Sequence, residues 1–203
     1  DLVDASATAA MKFNSFYRDN SRSAPHNLYA SITKILPIAG EGTSAPPPQF
    51  TYREADEQIA STAIVSPGVK LSMDGVKLTW VWNGIEGNYH RFVDGDAEVD
   101  ETGKPITTEN IVTLFVDYKA SPADPRSPEA QTLGTGVAWV FTQGKLFVGT
   151  WSRDNRLAVF TLLDSAGKPI KLTAGRTWVE LSRVDRGVYA APGADPLAMD
   201  FAG

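Results

Sequence analysis

The stretch Gly134–Arg183, GTGVAWVFTQGKLFVGTWSRDNRLAVFTLLDSAGKPIKLTAGRTWVELSR, leaves this chain few ways to fold. Short apolar runs rich in Val, Phe, Trp and Leu alternate with turn residues at a spacing of about 8–12 residues, the signature of antiparallel strands. Gln143–Gly144 separates VAWVF from LFVGTW, and the glycine supplies the positive φ of a tight hairpin. Asp154–Asn155 separates LFVGTW from LAVFTLL with residue types that bond their own backbone. Asp164–Ile170 makes the next turn, with Pro169 at a strand entry or edge, and Ala174–Gly175 leads into the alternating RTWVELS. Trp139, Trp151 and Trp178 are expected to fill the core of this sheet or cover one face, rather than to stack on a ligand.

The preceding residues continue the pattern. KLTWVW and YHRFV flank Asn83–Asn88 and predict a hairpin, NIVTLFVDY predicts another strand, and Phe50–Tyr52 a first one. Gly40–Gln49, GEGTSAPPPQ, is too rich in Gly and Pro to pack a core and reads as a linker. Ser31–Leu36 reads as the start of a helix capped by Asn27 or Ser31, interrupted at Pro37 and ended by Gly40–Gly42. Residues 1–15 read as a short helix or frayed lead-in capped by Asp4 or Ser6. The expected fold class is therefore α+β, predominantly antiparallel β. A small helical part covers residues 1–40, a linker 41–49, and a β-rich domain 50–203.

One motif occurs twice. Asp100–Ile106 (DETGKPI) and Asp164–Ile170 (DSAGKPI) share D-x-x-G-K-P-I, and each precedes an apolar strand. The expectation is one turn used twice: Asp opens it, Gly takes the left-handed position and Pro starts the next strand. Neither copy has the D-x-D-x-D spacing or distal glutamate of a calcium loop.

Composition narrows the function classes. The chain has 203 residues and a net charge of −5, which argues against a general nucleic-acid binder, since that needs a basic face. It has no cysteine, which removes disulfides, thiolate metal sites and cysteine nucleophiles. No apolar run reaches the length of about 18 residues that a spanning helix needs. G-x-S-x-G, P-loop, G-x-G-x-x-G and H-E-x-x-H patterns are absent, and no cofactor is expected.

The densest polar stretch is FYRDNSRSAPHNLYAS, residues 16–31. Arg18, Arg22, His26, Asn27 and Tyr29 form the candidate ligand site: two guanidiniums grip a carboxylate or phosphate, and His26 exchanges protons near neutral pH. The competing reading pairs the arginines with Asp19 and neighbouring carboxylates, and spends His26 and Asn27 on local backbone. His90, near Asp94, Asp96 and Asp100, reads as a strand residue beside a solvated acidic turn, and no metal site is expected.

FYRDNSRSAPHNLY, YHRFVDGDAEVDETGKPITTENIVTLFVDY, GTGVAWVFTQGKLFVGTWSR and AGRTWVEL, in that order, resemble the YerB-type lipoproteins of unknown function, the DUF3048 family. The resemblance covers most of residues 14–183. It implies an exported, membrane-tethered bacterial protein with an N-terminal α/β part and a C-terminal β-rich part. Residues 1–40 would be the C-terminal remnant of the former, and the lipid anchor would lie outside this chain. The leading functional expectation is an extracytoplasmic envelope module that binds an anionic or cell-wall ligand, with a cell-wall polymer or envelope protein as partner. The alternatives are an envelope hydrolase using His26 with Arg18, Arg22 and Asp19, and a purely structural support domain.

Overall fold

Alternating side chains and well-defined turn residues shape this protein from its first described strand onward. The computed structural model describes residues 15–24, 26–39, 47–122 and 125–201, so the lead-in over residues 1–14 and the linker residues 40–46 lie outside the described residues. Contacts group the chain into two units, Asp1–Pro47 and Pro48–Gly203.

In the first unit, β1 (Phe16–Arg18) and β2 (Leu28–Ala30) form an antiparallel hairpin. Tyr17 lies directly opposite Tyr29, and their rings stack with centroids 5.8 Å apart. A single α-helical turn, α1 (Ile32–Ile35), and a 3-10 turn (Leu36–Ala39) follow. This corrects the α+β expectation, because the described part of the unit is a hairpin with two short helical turns rather than a helical remnant. Cross-strand aromatic pairing favours strands here. After Ser31, the β-branched Ile32 and Thr33 and the missing N–H of Pro37 support little helix. Ser31 stands at the N-cap position but its hydroxyl bonds Thr33 Oγ1 instead of a backbone N–H.

The second unit carries the remaining strands: β3 (Ile64–Val65), β4 (Gly68–Met73), β5 (Val76–Asn83), β6 (Asn88–Val93), β7 (Asp96–Ala97) and β8 (Thr107–Thr108). After them come β9 (Asn110–Val116), β10 (Tyr118–Ala120), β11 (Pro128–Ala130), β12 (Gly134–Thr142), β13 (Lys145–Arg153), β14 (Thr161–Leu163), β15 (Thr177–Arg183) and β16 (Gly187–Tyr189). One sheet runs β14-β13-β12-β9-β15, with β3 also paired to β13. The other runs β16-β4-β5-β6-β7, with β8 also paired to β6. The strands pair antiparallel except β9 and β15, which run parallel from Asn110↔Thr177 to Val116↔Arg183.

That parallel pair corrects the reading of RTWVELS as one more antiparallel strand. LAVFTLL is shorter than its apolar length suggests, because only Thr161–Leu163 pairs with β13. Asn155 Oδ1 accepts the N–H groups of Leu157 and Ala158, and Arg153 donates to the carbonyls of Arg156 and Ala158. The turn therefore extends into the apolar run.

Strand β9 is buried along its whole length, which explains its near-continuous apolar sequence. Val112, Leu114 and Val116 pack with Ala138, Val140, Phe147, Trp151, Leu162, Ile170 and Leu172 on one face of the first sheet. On its other face Ile111, Phe141 and Leu146 pack against Val69, Leu71, Leu78, Trp80 and Tyr89 of the second. Trp80 and Tyr89 are fully buried, and the Tyr89 hydroxyl accepts the N–H of Gly144 at 3.0 Å. The sheets are also clamped by charge. Glu180 of β15 accepts Trp80 Nε1 at 3.0 Å, and the Arg91 guanidinium lies 5.0 Å from the Trp178 ring while bonding Glu98. Burial pushes the Glu180 carboxyl above the usual range, against the opposing pull of the Trp80 bond and of Arg91.

The two D-x-x-G-K-P-I turns are built alike. Asp100 Oδ1 accepts the N–H groups of Thr102 and Lys104, and Asp164 Oδ1 those of Ala166 and Lys168. Gly103 and Gly167 sit at φ 82° and 73°, and Pro105 and Pro169 bridge back to Val99 and Leu163. These bonds hold both carboxyls below the usual range, led by the Thr102 hydroxyl at Asp100 and the Lys168 N–H at Asp164. A carboxylate lowered in this way stabilises the fold above its unfolded pKa of about 3.9, and that stability is lost as pH falls through the folded value. Asp164→Asn keeps the acceptor but removes the titration. Its midpoint should therefore fall less steeply than the parent's when thermal unfolding is followed downward from about pH 5. Parallel acid limbs for the two proteins would contradict this role.

Candidate functional site

A cleft of about 360 Å³ opens where the ends of β9, β12 and β15 meet the turn into β16. Its apolar wall is made by Phe115, Leu133, Val137, Trp139, Trp151 and Val184. Polar groups come from Asp117, Gln131, Thr135 and Asp185. Leu133, Val137 and Val184 are about half exposed, at 46%, 48% and 52%, and make the mouth apolar.

Packing fixes the aromatic side chains of the cleft. Trp151 is buried, and its Nε1 donates to the Phe115 carbonyl at 3.0 Å. It lies directly across the strand pair from Gly136, where a Cβ would come within 2.5 Å of that Nε1 and 2.7 Å of the Phe115 carbonyl oxygen. Only glycine fits there. Gly187 plays the same part on the other side, since a Cβ would meet Phe115 and Trp139 ring atoms at 3.1 Å. Trp139 is fixed edge-on between Phe115 and Tyr189, with centroids 4.7 and 4.9 Å away. The aromatic side chains are therefore tightly held, and the two glycines let them approach the backbone closely.

The lining contains two carboxylates and no lysine, arginine or histidine. Of the neighbouring cations, Arg183 makes a two-point contact with Asp74 and Arg153 bonds the carbonyls of Arg156 and Ala158, while Arg186, between Asp185 and Gly187 in sequence, is exposed outside the lining. The lining thus combines apolar walls with hydrogen-bonding groups at the mouth.

The residues singled out in the sequence lie in the first unit and are drawn together only in part. Arg18 Nη1 donates to Asn27 Oδ1 at 2.6 Å, and Asn27 is buried. Tyr29 stacks on Tyr17. Arg22 and His26 are exposed in the connecting turn. Asp19 Oδ1 accepts both the N–H and the hydroxyl of Ser21, and the hydroxyl bond is the main reason its carboxyl sits below the usual range. In the second unit, His90 Nε2 lies 2.9 Å from Glu86 Oε2, while Asp94 accepts the Lys77 N–H and Asp100 closes its own turn. Among the described residues, no group of three or more acidic or histidine side chains is placed to hold a metal ion.

Sequence reasoning missed the cleft because its walls come from residues far apart in the chain. The available signal was the pair Gly134 and Gly136 in an otherwise bulky strand, since glycine inside a strand marks close approach by another group.

Known proteins now place the chain. Its fold is similar to the crystal structure of the YerB protein from Bacillus subtilis, with a TM-score of 0.69 and 18% sequence identity over 90% of this chain and 62% of that one. At that identity the likeness shows the fold, and the present chain spans about 62% of the length of the YerB chain. No curated protein matches. The model of the "protein of unknown function (DUF3048) C-terminal domain" matches residues 69–179, over half of the chain and most of both sheets, and the chain therefore belongs to the DUF3048 family.

Proposed function

We propose that this chain is the ligand-binding part of an extracytoplasmic bacterial envelope protein, and that the ligand enters the cleft between Trp139, Leu133 and Val184. The observation that carries the reading is a cleft backed by Trp139 and rimmed by the half-exposed Leu133, Val137 and Val184. Monomeric folds rarely keep such a surface without a use for it. A volume near 360 Å³ falls at the lower end of the range of about 300–1,000 Å³ typical of ligand pockets. The envelope setting rests on the resemblance of the ordered sequence blocks to the YerB-type lipoproteins. In that setting the partner is a cell-wall polymer or envelope protein, and membrane attachment runs through a lipid anchor. Arg18, Arg22, His26, Asn27 and Tyr29 of the first unit are a separate candidate surface for anionic groups, presented by exposed Arg22 and His26.

Calorimetric titration with a soluble enzymatic digest of purified bacterial cell wall tests this reading. The parent should bind a component of the digest, and Val137→Trp, which fills the mouth from an exposed position, should weaken that binding at least tenfold. Equal binding by parent and variant, or none by either, would overturn the assignment of the cleft.

A further inference from the structure

The same cleft has a sign. We infer that it takes a primary ammonium group carried on an aliphatic stem, such as a lysine-type side chain of a peptide. The inference rests on the cleft being a binding site and adds the chemical class of its occupant. Asp117 and Asp185 are both exposed at the mouth, and neither carboxylate makes an ion pair among the described residues. The lining has no cation to oppose them. An anionic ligand would meet two like charges and find no donor of opposite sign. A neutral apolar ligand would fill the wall and leave the carboxylates in water. A cationic head on an apolar stem satisfies both halves: the stem covers Leu133, Val137 and Val184, and the head reaches the carboxylates.

The volume limits the occupant further. About 360 Å³ accommodates one long side chain with its flanking amides, not a folded segment. Asp185 holds a left-handed backbone, φ 59°, in the turn between β15 and β16. That geometry fixes its position relative to Gly187, and asparagine tolerates it, so the charge is removable without disturbing the turn.

Three probes of matched shape test the inference by calorimetry at low ionic strength: N-acetyl-lysine amide, N-acetyl-norleucine amide and N-acetyl-glutamate amide. The lysine compound should bind at least tenfold more tightly than norleucine, and the glutamate compound should bind least. Asp117→Asn and Asp185→Asn should each reduce the preference for lysine over norleucine by about tenfold while leaving norleucine binding unchanged. Raising the salt concentration should erode the lysine preference alone. Equal binding of lysine and norleucine probes would overturn the charge assignment and leave the cleft intact as an apolar site. Binding of none of the three would overturn both. A lysine preference that survives in the Asp117→Asn, Asp185→Asn double variant would locate the cation elsewhere and overturn the inference.

Discussion

Asn110→Leu is expected to cost the second unit about 3–5 kcal/mol, although the substitution barely changes side-chain size. Asn110 is fully buried at the start of β9. Its Nδ2 donates to the carbonyls of Thr173 and Arg176, and its Oδ1 accepts the Thr142 hydroxyl at 2.8 Å and the Thr173 N–H at 3.0 Å. One side chain therefore joins β9, β12 and the turn that brings β15 in parallel beside β9. Leucine leaves those partners buried without it, at about 1–3 kcal/mol for each group stranded. The total is less than the sum, because Arg176 O also accepts the Thr108 hydroxyl and Thr142 also bonds Thr173. Urea unfolding monitored by circular dichroism measures it. A loss below about 1 kcal/mol would mean that the turn is held by backbone pairing alone.

Trp151→Ala is expected to be the next most damaging change, at about 3–5 kcal/mol for a buried aromatic truncated to a methyl group. The indole fills space between Gly136, Phe115 and Phe160, and its N–H is the partner of the Phe115 carbonyl. At a few degrees per kcal/mol, the thermal midpoint should fall by about 10 °C or more. Trp151→Phe separates the two contributions, since it keeps a ring and loses the hydrogen bond, and its cost should be about 1–3 kcal/mol. Equal midpoints for Trp151→Phe and Trp151→Ala would show that the hydrogen bond, and not the packing, is what Trp151 supplies.

These two residues show what the sequence made legible. The runs that became β12 and β13, the hairpin of β5 and β6, and β9 were readable, because period-two alternation and turn residues are local signals. The paired D-x-x-G-K-P-I turns were readable for the same reason. The tryptophans were expected to fill the core or cover one face: Trp151 lies in the core, and Trp178, 36% exposed, packs over Trp80 beside Arg91. The parallel pairing of β15 with β9 was not readable, because it depends on Asn110 meeting Thr173, Arg176 and Thr177 across more than sixty residues of chain. Asn110 itself only opened the run NIVTLFVDY, with no local signal to set it apart.

The density of arginine, histidine and asparagine in residues 16–31 pointed to a site, yet the first clear consequence of that composition is a hairpin. Asp19 and Ser21 close the turn, Arg18 ties down Asn27, and Tyr17 covers Tyr29. Polar residues of this kind serve turns as readily as ligands, and one sequence does not separate the two uses. The cleft went unread for the opposite reason. Its walls come from separate strands and from aromatic residues that each look like core.

The measurement that bears most directly on the central claim is the ¹H–¹⁵N spectrum of the tryptophan indoles during titration with N-acetyl-lysine amide. The five tryptophans report on different places. Trp139 and Trp151 line the cleft, Trp80 bonds Glu180, Trp82 packs on Tyr89, and Trp178 lies beside Arg91. Saturable shifts at Trp139 and Trp151, with Trp80, Trp82 and Trp178 unmoved, are the predicted result. Shifts confined to Trp178 or Trp82, or none at saturating probe, would contradict the assignment of the cleft as the binding site.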